Sequence, residues 1–167
     1  MENANKFIIT RVFDAPRESV WKAWTDPEIV KKWWGPKDFT APSVDIGFKE
    51  GGKYLFCMRG SITPGGEKKD FWSTGKYLEI VPMEKIVITD SFADEKGNIV
   101  SAAHYGMDPD WPIEMQVEVL FEEAKPDKTK FTLRYPDIGK VKEKDLKDMR
   151  QGWNQSFDKL AETLKLK

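Results

Sequence analysis

One stretch near the end of the chain constrains the fold more than any other. Across residues 142–165 the apolar side chains are Leu146, Met149, Trp153, Phe157, Leu160 and Leu164. Steps of three and four residues put all six in a sector about 80° wide on a 3.6-residue helix. Nearly everything off that sector is Lys, Glu, Asp, Arg, Gln or Asn. So one-sided a helix needs an apolar surface to lie on, and the preceding segments read mainly as strands. The expected partner is therefore a sheet.

The strands announce themselves by alternation and by turn residues. Residues 6–13 are rich in β-branched and aromatic side chains, which suits a first strand. Asp14-Ala15-Pro16 stops it, with Pro16 expected at the first position of a helix carrying Val20, Trp21 and Trp24. Asp26-Pro27 repeats the device for a second short helix with Ile29, Val30, Trp33 and Trp34, ended by Gly35-Pro36. From about residue 42 the period becomes two. Strands are expected around residues 44–46, 54–59, 71–81 and 86–92, separated by Gly51-Gly52, Thr63-Pro64-Gly65-Gly66 and Pro82-Met83. A clear alternation runs from Ile113 through Met115, Val117 and Val119 to Phe121. Another runs through Phe131, Leu133 and Tyr135. Residues 99–112, broken by Gly106, Pro109 and Pro112, read either as an ordered covering loop or as a hairpin extension. The order is strand, two short helices, about six antiparallel strands and one long helix, an α+β domain with helices on one side of a curved sheet.

Composition bounds the function. The 167 residues carry 27 Lys plus Arg against 28 Asp plus Glu, a net charge of -1, without the basic excess of a nucleic-acid binder. Seven Trp and ten Phe are a heavy aromatic load, suited to a bulky core or to a pocket wall. The lone cysteine, Cys57, has no partner for an internal disulfide and fits a reducing compartment. The start, Met1-Glu2-Asn3-Ala4-Asn5-Lys6, has no apolar core of signal-peptide length, and no run reaches the roughly 18 apolar residues of a membrane span. The expectation is a cytoplasmic single domain over residues 1–167, with neither a nucleic-acid nor a membrane partner. Nothing in the sequence specifies a cofactor or an oligomeric state.

Several chemistries can be tested on the residues. Gly47 to Gly52 and Lys53 match the start of a phosphate loop, but Tyr54 stands where Ser or Thr is needed and a strand follows in place of a helix. A hairpin turn is the better reading. His104 and Cys57 are the only residues of their types, so no His/Cys metal site can be assembled. Cys57 sits within an alternating strand, where a thiol is ordinarily buried and inert. His104, beside Tyr105 and Asp108, is the one candidate general base, with a loop-anchoring role as the alternative. The facing of Asp45, Glu79 and Asp90 within their strands is undecided.

Arg11-Val12-Phe13-Asp14-Ala15-Pro16 with Val20-Trp21 resembles the opening of the START-like (SRPBCC) domains. Thr25-Asp26-Pro27-Glu28 followed by Trp33-Trp34-Gly35-Pro36 resembles the activator-of-Hsp-ninety-ATPase homologue group. So do Glu79-Ile80-Val81-Pro82-Met83-Glu84-Lys85-Ile86, His104-Tyr105-Gly106-Met107 and Gly152-Trp153-Asn154-Gln155-Ser156-Phe157. The resemblance implies a helix-grip fold of six to seven strands around the long C-terminal helix, with a cavity between them. It also implies a small apolar or amphipathic ligand. Candidate lining residues are Trp34, Phe56, Met58, Phe71, His104, Tyr105, Met107, Trp111, Met115, Trp153 and Phe157, each of which could equally be core. Two alternatives follow from the wider superfamily and from the group's founder. One is a cyclase, dehydratase or hydrolase acting in the same cavity. The other is a protein-interaction module that stimulates a chaperone ATPase.

Overall fold

The computed structural model describes residues 6–165. The reading of residues 1–5 as lacking a signal sequence lies outside the described residues. β1 (Phe7–Phe13) is followed by α1 (Arg17–Thr25) and α2 (Pro27–Trp33). Six strands follow: β2 (Thr40–Ile46), β3 (Lys53–Gly60), β4 (Lys69–Val81), β5 (Lys85–Ala93), β6 (Met115–Lys125) and β7 (Lys128–Tyr135). The helix α3 (Glu143–Leu164) comes last. The seven strands form one antiparallel sheet in the order β1-β7-β6-β5-β4-β3-β2. Irregularities in register at Tyr77/Glu79 and Glu123/Lys125 help the sheet curl into a half-barrel around α3. This is the helix-grip arrangement.

The alternation read from the sequence is the pleat of this sheet. Phe7, Ile9 and Phe13 of β1, Val117, Val119 and Phe121 of β6, and Phe131, Leu133 and Tyr135 of β7 are all buried in one core. α1 and α2 add Val20, Trp21, Trp24, Val30 and Trp33 to that core. The Trp33 indole N–H donates to the Ala23 carbonyl at 2.9 Å, tying the short helices to each other. The Asp26 carboxylate accepts from the Glu28 amide at 2.9 Å, so Asp26 caps α2 as its position predicts. Helices this short owe their stability to such packing.

Two boundaries differ from expectation. Pro16 lies one place before the first helical residue, where its carbonyl accepts from the Ser19 and Val20 amides. Ile113 lies outside β6 and is exposed. The β5–β6 pairing ends at Asp90↔Met115, so a residue two places before Met115 has no partner strand to hold it in the sheet. The 47–53 segment is a turn, as expected. Its Gly51 amide donates to the Tyr77 carbonyl, and a Cβ on Gly52 would lie 1.9 Å from the Gly47 carbonyl oxygen.

α3 is pinned at several points. Arg11 of β1 reaches the Asn154 carbonyl at 3.2 Å and the Asp158 carboxylate at 3.0 Å. Arg150 donates to the Ile8 carbonyl and lies over the Phe7 ring at 4.6 Å. Lys159 donates to the carbonyls of Pro36 and Phe39. Near the start of the helix, Lys142 pairs with Asp108 at 2.7 Å, joining α3 to the 99–112 segment. No helix among the described residues is long and apolar enough to cross a membrane.

Candidate functional site

Burial along the α3 stripe is graded. Phe157 and Leu160 are 0 % exposed and Leu164 8 %, whereas Leu146, Met149 and Trp153 are only half-buried. The second half of the helix is therefore core. The first half leaves its apolar face incompletely covered.

Between sheet and helices lies an internal void of about 20 Å³, walled by Trp24, Trp34, Tyr54, Phe56, Tyr77, Ile86, Ile88 and Val119. It holds one water-sized group. A small-molecule pocket is ordinarily hundreds of Å³. The expected ligand-sized cavity is thus filled by side chains in this conformation. The cause is the aromatic load: Trp24 stacks on Phe131 at 5.5 Å and on Trp153 at 6.4 Å, and Trp153 stacks on Phe157 at 5.3 Å. Trp34 stands edge-on to Phe56 at 4.6 Å and to Trp153 at 5.5 Å. Trp34 is half-buried, ends α2, and is followed by Gly35 at φ 102°. A left-handed residue at that point re-aims the chain immediately after the Trp34 ring. Of the wall residues Trp34 and Ile88 are half-buried and the others buried.

One residue of the wall has an unmet polar demand. Trp24 is 8 % exposed, and its indole N–H has no acceptor among the described residues. A buried donor left unpaired costs about 1–3 kcal/mol. An oxygen within reach of that N–H, from water or from a ligand, would relieve this cost.

Next to the void lies a polar chain running from sheet to helix. The Trp153 indole donates to the Tyr135 hydroxyl at 3.2 Å, and that hydroxyl lies near enough to Asp90 to act on its carboxyl. On the other side the Tyr54 hydroxyl lies 2.8 Å from the Thr89 carbonyl and 3.3 Å from the Asp90 carboxylate. One hydroxyl proton cannot serve both acceptors fully, and the shorter contact is to Thr89. Asp90 is half-buried, keeping some accessible surface although protein atoms crowd round it. Burial raises its carboxyl to about 6, against the opposing effect of hydrogen bonds from Tyr54 and Tyr135. Burial first, and the Asp90 charge second, raise the Tyr54 and Tyr135 hydroxyls well above the usual phenol range.

The sequence candidates divide into groups. Trp34 and Phe56 line the void, and Trp153 packs against Trp34 at its edge. Phe157 and Met115 are core. Phe71 is buried against Phe39 and Tyr105. Tyr105 is a loop anchor: its hydroxyl accepts from the Trp72 amide at 3.1 Å and donates to the Ala93 carbonyl. Met58, Met107 and Trp111 are half-buried, and Trp111 packs against the core, its ring 6.3 Å from that of Phe92. The 99–112 segment, with a single 3-10 turn at Ala102–Tyr105, is thus an ordered cover. His104 is exposed, with its ring edge-on to Tyr105, and does not line the void. It cannot serve as a base for a group held there. Sequence reasoning left out Trp24, Tyr54, Tyr77, Ile86, Ile88 and Val119 of the wall, and Asp90 and Tyr135 beside it. A larger depression of about 610 Å³, lined by Arg17, Glu84, Lys85, Glu122 and their neighbours, is too open and too charged to enclose an apolar ligand. Among the described residues, no group of three or more His, Cys, Asp or Glu side chains is placed to hold a metal ion.

Comparison with known proteins agrees with this architecture. Residues 14–165 match the family described as activator of Hsp90 ATPase homolog 1-like protein. The chain belongs to this family. Solved structures with the same fold include protein NE0264 from Nitrosomonas europaea, 21 % identical with a TM-score of 0.73, covering 99 % of this chain and 97 % of that one. Protein CV1439 from Chromobacterium violaceum is 25 % identical with a TM-score of 0.73, covering 98 % and 99 %. A protein from Arthrobacter aurescens is 24 % identical with a TM-score of 0.75, covering 99 % and 88 %. No curated protein sequence matches the chain. Family membership places the protein in the START-like (SRPBCC) superfamily and accounts for the helix-grip fold.

Proposed function

We propose that this protein binds a small amphipathic molecule between the first half of α3 and the concave face of the sheet. The observation that carries the reading is the void beside Trp24, an apolar wall with one buried donor that has no acceptor. A water can fill it in the closed state. A ligand bearing a carbonyl or hydroxyl oxygen would replace that water and bury its apolar part among Trp34, Phe56, Ile88 and Trp153. Room comes from displacement of Trp34 and Trp153, both half-buried and both on the uncovered side. Burying about 200 Å² of ligand apolar surface is worth about 5 kcal/mol at 25 cal/mol per Å². That exceeds the roughly 0.5–1.5 kcal/mol of ordering for each side chain immobilised on binding. The single buried thiol, Cys57, suits the reducing cytoplasm as the place of action.

Native mass spectrometry of protein purified from its own cells tests this. A retained small molecule of apolar body and polar head is expected. Apo protein alone, together with no binding from a panel of amphipathic small molecules, would overturn the reading. A second reading, catalysis in the same place, rests on Asp90. A carboxyl near 6 in an apolar cleft is poised for proton transfer, a role His104 is not placed to fill. Conversion of the retained molecule during incubation, lost in Asp90→Asn, would favour it; recovery of the molecule unchanged would remove it.

A further inference from the structure

Asp90 is a second polar feature of this region that the fold itself does not explain. It does not cap a helix, and the strand pairing around it is complete without its side chain. Among the described residues no Lys, Arg or His nitrogen lies within 4.0 Å of its carboxylate, in a protein that forms eight such pairs elsewhere. Its only side-chain partners are two phenols, Tyr54 and Tyr135. An acid kept in an aromatic setting without a counter-charge is costly unless something supplies that charge. Tyr54 and Tyr135 present their hydroxyl oxygens to it, and behind them lie Phe56, its ring 4.7 Å from that of Tyr54, and Trp153, bonded to Tyr135.

Resting on the binding reading above, we infer that the ligand carries an amine besides its oxygen, its ammonium group held by Asp90 and the Tyr54 and Tyr135 hydroxyl oxygens, its apolar body along Trp34 and Trp153. The chemistry is that of a cation site, a carboxylate supplying charge and phenol oxygens supplying further acceptors for an ammonium group. A carboxylate ligand would meet repulsion from Asp90. A neutral alcohol would leave the acid without a counter-charge. Burial of the carboxyl adds a pH signature: it is mostly ionised at pH 7.5 and largely protonated at pH 5. The titratable groups facing Asp90 are Tyr54 from β3 and Tyr135 from β7, with Tyr77 of β4 acting on Tyr54 behind it, and all three hydroxyls stay protonated over that range.

The test is calorimetric titration with octylamine, octanol and octanoate, three probes that differ only in the head group. At pH 7.5 octylamine is expected to bind at least tenfold more tightly than octanol, and octanoate more weakly than either. In Asp90→Asn the amine preference should vanish while octanol binding persists, whereas Asp45→Asn, an exposed strand carboxylate, should leave it intact. If Asp90→Asn does not fold, the wild-type protein still decides. Octylamine affinity should fall about tenfold between pH 7.5 and pH 5 while octanol affinity stays constant. Octanol binding as tightly as octylamine overturns the amine inference and leaves the binding reading standing. No binding by any of the three counts against both, and a ligand retained in the native spectrum would then rescue the binding reading alone.

Discussion

Truncating two aromatic residues one turn apart on α3 separates core from site wall. Phe157 is fully buried and contacts the rings of Phe13, Phe131 and Trp33 as well as Trp153. Phe157→Ala should cost about 4 kcal/mol, since it loses the transfer energy of the ring and leaves a cavity among rigid neighbours. Trp153 is larger but only half-buried, and the space it vacates opens toward solvent. It also loses one hydrogen bond, to a Tyr135 hydroxyl that keeps its contact to Asp90. Scaling the usual 3–5 kcal/mol for buried Trp→Ala by partial burial gives about 2 kcal/mol. Urea unfolding followed by far-UV circular dichroism reads both values, provided the slope with denaturant is unchanged. The two rings stack, so the double variant should fall short of additivity by about 0.5–1.5 kcal/mol. A Trp153→Ala cost equal to or above that of Phe157→Ala would show that the whole stripe is core, and the site would lose its helix wall.

Asp90 gives stability a defined pH dependence. Its folded value of about 6 lies above the unfolded value near 3.9, so between them the native state holds a proton that the unfolded state has released. Stability contributed by this group is therefore present below pH 4 and lost as pH rises through 6, by about 2–3 kcal/mol; Asp90→Asn should flatten that fall in urea midpoints measured from pH 4 to 7.5. Gly75→Ala should destabilise by about 1–3 kcal/mol through overpacking, because a Cβ there would lie 1.9 Å from the Thr89 carbonyl oxygen and 2.7 Å from the Tyr54 ring. The same urea unfolding would show it, and a neutral result would mean that β4 and β5 can part without consequence. Cys57 is buried and its thiol is pushed up to about 11, chiefly by burial, so it should react with a thiol reagent at pH 7.5 far more slowly than a free cysteine does.

Much of this fold can be read from the residues. The α3 stripe, the Asp26-Pro27 cap and the alternations 115–121 and 131–135 are local patterns with a direct structural meaning, and each stands where its period puts it. The site is less legible, for physical reasons. In β5, Ile86 and Val87 are both buried, so the alternation cannot say which face Asp90 shares. Only the long-range contacts of Asp90 to Tyr54 and Tyr135 settle it. The rule that i and i+2 share a face, applied from Ile88 to Asp90, was the available signal. His104 is the opposite case. Its chemistry singled it out, but the 3-10 turn that holds it faces outward and uses the neighbouring Tyr105 as the anchor. Nor could the aromatic count distinguish a wall from a filling, since the same rings line the void and reduce it to about 20 Å³.

The most direct test of binding between α3 and the sheet is the proton–nitrogen spectrum of the indole N–H groups during titration with octylamine or octanol. Each tryptophan gives one signal. The Trp24, Trp34 and Trp153 signals should move together and saturate, and with octanol the Trp24 signal should shift furthest as its N–H gains the hydroxyl oxygen as an acceptor. Trp72, on the opposite face of β4 from Phe71, should stay in place. Movement confined to Trp72 or Trp111, with Trp24 and Trp153 unchanged at saturation, would place any ligand elsewhere and contradict the account.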